Sequence, residues 1–161
     1  MAILTLIGCC SGFPVGAAES HCAADETIMF SCNTGKKIIS VCGSKTASTS
    51  SQYLQYRFGP KGAPDLLYPD KKVHPGNNVR ARTLTFAGGG GAYIRFQRDQ
   101  YAYVVYTALG RGWGEKAGVV VERDHKQVTS LPCKGPVTSE LGPDLFEQAG
   151  LPEDQEGFDL P

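Results

Sequence analysis

The sequence predicts a mainly β fold: an antiparallel meander of about nine short strands, closed into a small barrel or folded into a sandwich, with one short C-terminal helix. Three observations predict it. Twenty glycines and ten prolines in 161 residues are spread as punctuation between short apolar runs, which favours short strands and tight turns over long helices. Several of those runs alternate apolar and polar residues at period two, as half-buried strands do. The length suits a single domain over residues 18–161, because one domain takes roughly 100–200 residues.

The elements follow in order. Thr27-Ile28-Met29-Phe30-Ser31-Cys32 reads as a strand, Asn33-Thr34-Gly35-Lys36 as a turn, and Lys37-Ile38-Ile39-Ser40-Val41-Cys42 as the return of a hairpin. Residues 43–51 are a Ser/Thr-rich loop. Residues 52–58 follow, with Leu54, Tyr56 and Phe58 on one face, and Gly59-Pro60 stops them. Asp65-Leu66-Leu67-Tyr68 is a short strand between Pro64 and Pro69, and residues 70–78 read as an exposed loop. Residues 82–87 alternate until Gly88-Gly89-Gly90-Gly91, read as a turn or bulge, breaks them. Residues 92–97 and 101–107 pair across Arg98-Asp99-Gln100, and residues 118–122 and 127–131 form a last hairpin. Near the C-terminus a helix begins at Pro143 and ends at Gly150, and the final residues read as a solvated acidic tail.

Charge and hydropathy exclude two function classes. Sixteen basic and sixteen acidic residues cancel, whereas phosphate contacts give nucleic-acid binders a basic excess. No run reaches the roughly 18 apolar residues that a membrane-spanning helix needs.

The N-terminus points to export. No charged residue precedes Glu19, residues 3–7 are apolar, and small residues around Val15-Gly16-Ala17 suit signal-peptidase cleavage after Ala17 or Ala18. Residues 1–17 are therefore expected to be a signal peptide, with a short apolar core and a basic region supplied by a start upstream of Met1. Leu6-Ile7-Gly8-Cys9 also fits a lipobox, in which Cys9 would carry a lipid anchor; a cytosolic N-terminal strand is the third reading. The expected compartment is the periplasm or the exterior.

Of six cysteines, Cys9 and Cys10 fall in that leader, and Cys22, Cys32, Cys42 and Cys133 remain as an even set for an oxidising compartment. Three connectivities are open. The favoured one joins Cys22 to Cys32 and Cys42 to Cys133, the latter closing a loop of about ninety residues and contributing about 4–5 kcal/mol in the chain-entropy model. Zinc is disfavoured: no C-x-x-C pair exists, and no His stands at ligand spacing from a Cys.

No motif carries recognisable chemistry, so no catalytic residue, metal or cofactor is expected. Gly110-Arg111-Gly112-Trp113-Gly114-Glu115-Lys116-Ala117 matches a dinucleotide fingerprint, but a strand follows where a helix must. The four glycines lack the Lys and Ser/Thr of a P-loop, and His21, His74 and His125 share no spacing. A hydrolase assembled from distant residues stays open, because the fold brings triads together. An envelope structural or small-ligand-binding role is a further alternative.

The strongest candidate is a face. With Leu54, Tyr56 and Phe58 inward, Tyr53, Gln55 and Arg57 point outward; with Ile94 and Phe96 inward, Tyr93, Arg95 and Gln97 do too. Two strands then display Tyr, Arg and Gln in register, with Trp113 in a nearby glycine-rich loop. Tyr, Trp and Arg are enriched at binding hot spots, so a protein partner in the cell envelope is expected. Half-exposed β surfaces also carry aromatics as a matter of course.

Phe30-Ser31-Cys32-Asn33-Thr34-Gly35-Lys36-Lys37, Leu54-Gln55-Tyr56-Arg57-Phe58-Gly59 and the closing Gly157-Phe158-Asp159-Leu160-Pro161 resemble a family of uncharacterised exported proteins of Gram-negative bacteria. That resemblance covers nearly all of the mature chain and implies a secreted or periplasmic β protein, without an activity. More distantly, the chain is similar to periplasmic lysozyme inhibitors and to immunity proteins against cell-wall-degrading effectors, by analogy of fold and compartment.

Overall fold

The first hairpin is built as its sequence demands. Strand β1 (Glu26–Asn33) turns at Thr34-Gly35, where the Gly35 N–H donates to the Asn33 side chain and Gly35 takes φ +104°, and returns as β2 (Ile38–Ser44). The computed structural model describes residues 19–45 and 52–161; the expected leader and Cys9 lie outside the described residues.

Beyond the hairpin come β3 (Leu54–Gly59) and β4 (Leu66–Tyr68), then β5 (Val79–Phe86), β6 (Gly89–Arg98), β7 (Tyr101–Gly110), β8 (Gly114–Arg123) and β9 (Lys126–Pro132). Strand β10 (Val137–Ser139) and helix α1 (Pro143–Gln148) close the order. The strands form two antiparallel five-stranded sheets, β10-β1-β2-β3-β4 and β5-β6-β7-β8-β9. The architecture is thus mainly β and sandwich-like, not a closed barrel.

Two elements differ from the sequence reading. Strand β10 is a tenth strand, three residues long after Pro136, and its pairing with β1 through Phe30↔Ser139 is a long-range contact that no local pattern announces. The four glycines are not one turn: only Gly88 turns, and Gly89, Gly90 and Gly91 run in β6. At Gly91 a Cβ would collide with the Thr107 carbonyl oxygen of β7, so close backbone approach is what excludes a side chain. At the β8–β9 turn, Asp124 (φ 49°) and His125 (φ 61°) take the paired left-handed conformation of a tight two-residue hairpin.

The core lies between the sheets. Phe30, Ile39, Val41 and Tyr56 from the first meet Ile94, Phe96, Val105 and Val119 from the second, with Leu145 and Ala149 at the margin. The Tyr56 ring stacks on Tyr103 at 5.1 Å and tilts against Phe96 at 5.9 Å. Each such side chain contributes roughly 1.5–3 kcal/mol by leaving water.

The disulfides join Cys22 to Cys42 and Cys32 to Cys133, which corrects the expected pairing. The reason is parity. Cys32 lies opposite Ile39 and faces the core, whereas Cys42 lies opposite Gln55 and faces outward. Cys32 therefore reaches Cys133, whose N–H bonds to Ala117 on the second sheet, and Cys42 holds Cys22 on the outer surface of the first. Two disulfides suit an extracytoplasmic compartment. Among the described residues, no helix is long and apolar enough to cross a membrane.

Candidate functional site

Strand alternation puts Tyr53, Gln55 and Arg57 on the outer parity of the first sheet, as expected, but the outer face is not open. Gln55 and Arg57 are 3% and 6% exposed. The segment before β1 lies over them, fastened by the Cys22–Cys42 bond. Arg57 donates to both Glu26 carboxylate oxygens at 2.6 and 2.7 Å, to the His21 carbonyl at 2.7 Å and to Gln55 Oε1 at 2.8 Å. Gln55 in turn donates to the Pro69 carbonyl. Burial pushes the Glu26 carboxyl up, but hydrogen bonds from Arg57, Lys72, the Tyr53 hydroxyl and the Ala23 N–H outweigh it and hold the group far below the usual carboxylate range.

The second sheet repeats the arrangement with the other end of the chain. Tyr93 and Arg95 are 0% and 2% exposed, because residues 152–161 lie across them. Asp154, expected in a solvated tail, is fully buried: its Oδ2 accepts from the Tyr93 hydroxyl at 2.7 Å and from Arg95 Nε at 3.0 Å. Arg95 also pairs with Glu122 and donates to the Gly157 carbonyl at 2.7 Å. The Phe158 ring covers Tyr93 and Tyr106 at 5.1 and 5.5 Å. Burial raises the Tyr93 hydroxyl, and its bond to Asp154 raises it further. Burial draws the Arg95 guanidinium down, but its bonds to Glu122 and Asp154 outweigh that and leave it raised.

The expected single binding face is therefore corrected on two counts. Strands β3 and β6 belong to different sheets, so the two Tyr/Arg/Gln sets lie on opposite outer surfaces. Four of the six residues are covered by the chain itself. Only Gln97 and Tyr53 keep partial exposure, with Gln97 donating to the Asp99 carbonyl and Tyr53 to Glu26. Alternation fixes which way a side chain points, and says nothing of what folds back over it.

Trp113 is the member of the set that stays accessible, at 40% exposure. It sits in the β7–β8 turn, where the dinucleotide-like run becomes a hairpin. The indole lies on the bare backbone of Gly110, where any Cβ would collide with it, and packs on Phe86 at 5.6 Å. Lys116 Nζ stands 5.3 Å from the ring centroid and donates to the Pro161 carbonyl. On the opposite parity of the same hairpin Leu109 is 65% exposed. Strands β6, β7 and β8 have ten residues each, against three to eight in the first sheet, so this end of the second sheet outruns its cover. Phe86 lies in the alternating run 82–87 but was not carried into the expected face. Leu109 was missed because its β6 partner is the bare Gly90, and Lys116, opposite Ala108, has no sequence signal of its own.

The three histidine rings are engaged separately: His21 with the Gly59 carbonyl, His74 with the Gly76 N–H, and His125 with Glu156 at 3.0 Å. Cys22, Glu26 and Cys42 bring potential metal-ligand atoms within 4.8 Å, but both sulfurs are bonded to each other and supply no thiolate. Compared with family models, curated proteins and solved structures, the chain matches none.

Proposed function

We propose that this is an exported, non-catalytic binding protein of the cell envelope, periplasmic or secreted, that engages a macromolecule through the Trp113 end of its second sheet. The observation that carries the reading is the exposure of Trp113 in the β7–β8 turn, with Arg111 exposed in the same turn, Lys116 at the indole ring and Leu109 exposed on the other face of the hairpin. A Trp backed by Phe86 is held in place before contact, so little ordering entropy opposes association there. Inhibition of, or immunity against, a cell-wall hydrolase is the sharpest form of this proposal, in line with the resemblance to exported Gram-negative proteins.

The test is a pull-down with the oxidised protein on periplasmic and secreted extracts, beside a Trp113→Ala, Leu109→Ser variant. The reading expects one partner that the variant loses while its melting temperature changes little. Retention by both proteins, or no partner at all, overturns it.

A further inference from the structure

The outer face of the second sheet carries an apolar cluster of its own. Tyr93, Ala102, Val104, Tyr106 and Val120 are buried there, on the opposite parity from the residues that meet the first sheet. An apolar sheet face is ordinarily closed by another layer of secondary structure. Here, among the described residues, the cover is the tail: residues 155–161 form no helix or strand, and Phe158 and Leu160 pack on the cluster. The margins supply charge to match an acidic segment. Arg95 donates to the Gly157 carbonyl, Lys116 to the Pro161 carbonyl, and the His125 ring is hydrogen-bonded to Glu156.

The tail is fixed at its start and loose along one flank. Pro152 and Asp154 bracket Ala81 with main-chain hydrogen bonds at 3.1 and 3.0 Å, and the buried Asp154 carboxylate is tied to Tyr93 and Arg95. Beyond this anchor lie exposed Gln155 and Glu156, where the chain can change direction without losing burial. Residues 155–161 are held by no covalent cross-link. Between them and the side chains of Glu122, His125 and Gln127 an open cleft of about 570 Å3 remains, so the groove is wider than the one segment lying in it.

We propose that this face is a self-recognition surface: two copies of the chain dimerise through it by exchanging residues 155–161, each tail docking in the other copy's groove. The docked tail itself shows that the segment and the groove are complementary. The exchanged contacts are those the closed chain already makes, so the exchange sacrifices none of them. Its reach suffices, because seven extended residues span about 24 Å, and two sheets packed face to face lie about 10 Å apart. Each tail therefore crosses to the opposite groove about a two-fold axis, and brings Glu156 and Asp159 to the other copy's Arg95, His125 and Lys116. What the dimer adds is a second sheet over the cleft that a single tail leaves open. The Trp113 indole takes no part, so this surface and the Trp113 reading can fail separately.

The experiment follows the oxidised full chain by sedimentation equilibrium from micromolar to millimolar concentration. A reversible monomer–dimer equilibrium is expected, with a dissociation constant no weaker than about millimolar, the effective concentration at which a short linker presents the chain's own tail. Isotope-filtered NMR on a mixture of labelled and unlabelled chains then shows whose tail fills each groove. Nuclear Overhauser contacts are expected between Phe158 of one copy and the Tyr93 and Tyr106 rings of the other. A Phe158→Ser, Leu160→Ser variant should dimerise at least about tenfold more weakly, since it loses the two apolar anchors. The NMR arm uses the unaltered chain and decides the matter even where that variant does not fold. A monomer throughout, a dimer whose Phe158 contacts stay within each copy, or a folded variant that dimerises like the unaltered chain overturns the proposal.

Discussion

Arg57 and Arg95 occupy equivalent places on the two sheets, and the protein covers them by different means. Each is a buried guanidinium on an outer face, and each answers a fully buried carboxylate, Glu26 or Asp154. Over Arg57 the cover is covalent, because Cys22–Cys42 stitches the N-terminal segment to β2. Over Arg95 it is held by Phe158 on two tyrosines, by Arg95 itself, and by the Lys116 bond to Pro161. The first cover cannot leave while the disulfide is intact. The second can leave without breaking a covalent bond, so the outer face of the second sheet is the one that the chain can uncover.

The largest effects come from the arginines. Arg95→Ala should cost about 3–5 kcal/mol, because it leaves the buried Asp154 carboxylate without its cation, and Arg57→Ala less, because Glu26 keeps Lys72, the Tyr53 hydroxyl and the Ala23 N–H. Denaturant unfolding measures both, and the comparison lies in the side effects. Arg95→Ala should free residues 155–161 to carboxypeptidase, while Arg57→Ala should leave residues 19–26 protected. Equal protection in the two variants would mean that the tail does not depend on its guanidinium. Cys22→Ser with Cys42→Ser should cost about 3 kcal/mol, the chain-entropy value for a loop of about 20 residues. That variant should convert the first cover into the second kind, with residues 19–26 now exchanging amide hydrogens. Phe158→Ala comes next, at about 2 kcal/mol for a half-buried ring, with protein fluorescence reporting loosened packing around Tyr93 and Tyr106.

What the sequence displays of this comparison is its geometry, not its cover. Period-two patterning placed Tyr53, Gln55 and Arg57 on one side of β3, and Tyr93, Arg95 and Gln97 on one side of β6, and both parities stand. The sheet to which each strand belongs is a long-range property, and so is the path of the tail that returns over Arg95. A composition rich in Asp and Glu reads locally as solvated, yet Asp154 is buried because a guanidinium lies opposite it. The disulfide pairing was closer to being legible. Cys32 and Cys42 have opposite parity once the hairpin register is fixed at Asn33-Thr34-Gly35, so they must serve opposite faces. Of the expected contact residues only Trp113 is exposed, because it lies at a turn beyond the covering segments, while Tyr53 and Gln97 are half-buried.

The smallest effect at neutral pH separates the two faces by titration. The Glu26 carboxyl is depressed in the folded state, so its contribution is present above the ordinary value of 4.5 and is lost as pH falls below it. The Tyr93 hydroxyl is raised in the folded state, so its contribution is present below the ordinary value of 10.0 and is lost as pH rises above it. Acid should therefore weaken the disulfide-held face, whereas alkali acts on both, through the raised Tyr53 hydroxyl beside Glu26 and the raised Tyr93 hydroxyl beside Asp154. Melting temperature against pH should fall on both limbs, with Glu26→Gln flattening the acid limb and Tyr93→Phe reducing the alkaline one, to which buried Tyr56 also contributes. The local readouts should differ more sharply than the melting curves. Ionised Tyr93 would face the Asp154 carboxylate at hydrogen-bond distance, and that repulsion acts on a segment no covalent bond retains. Carboxypeptidase release of the C-terminal residues should accordingly rise with alkali before global unfolding, whereas acid should melt the first face only together with the molecule, because Cys22–Cys42 still holds it.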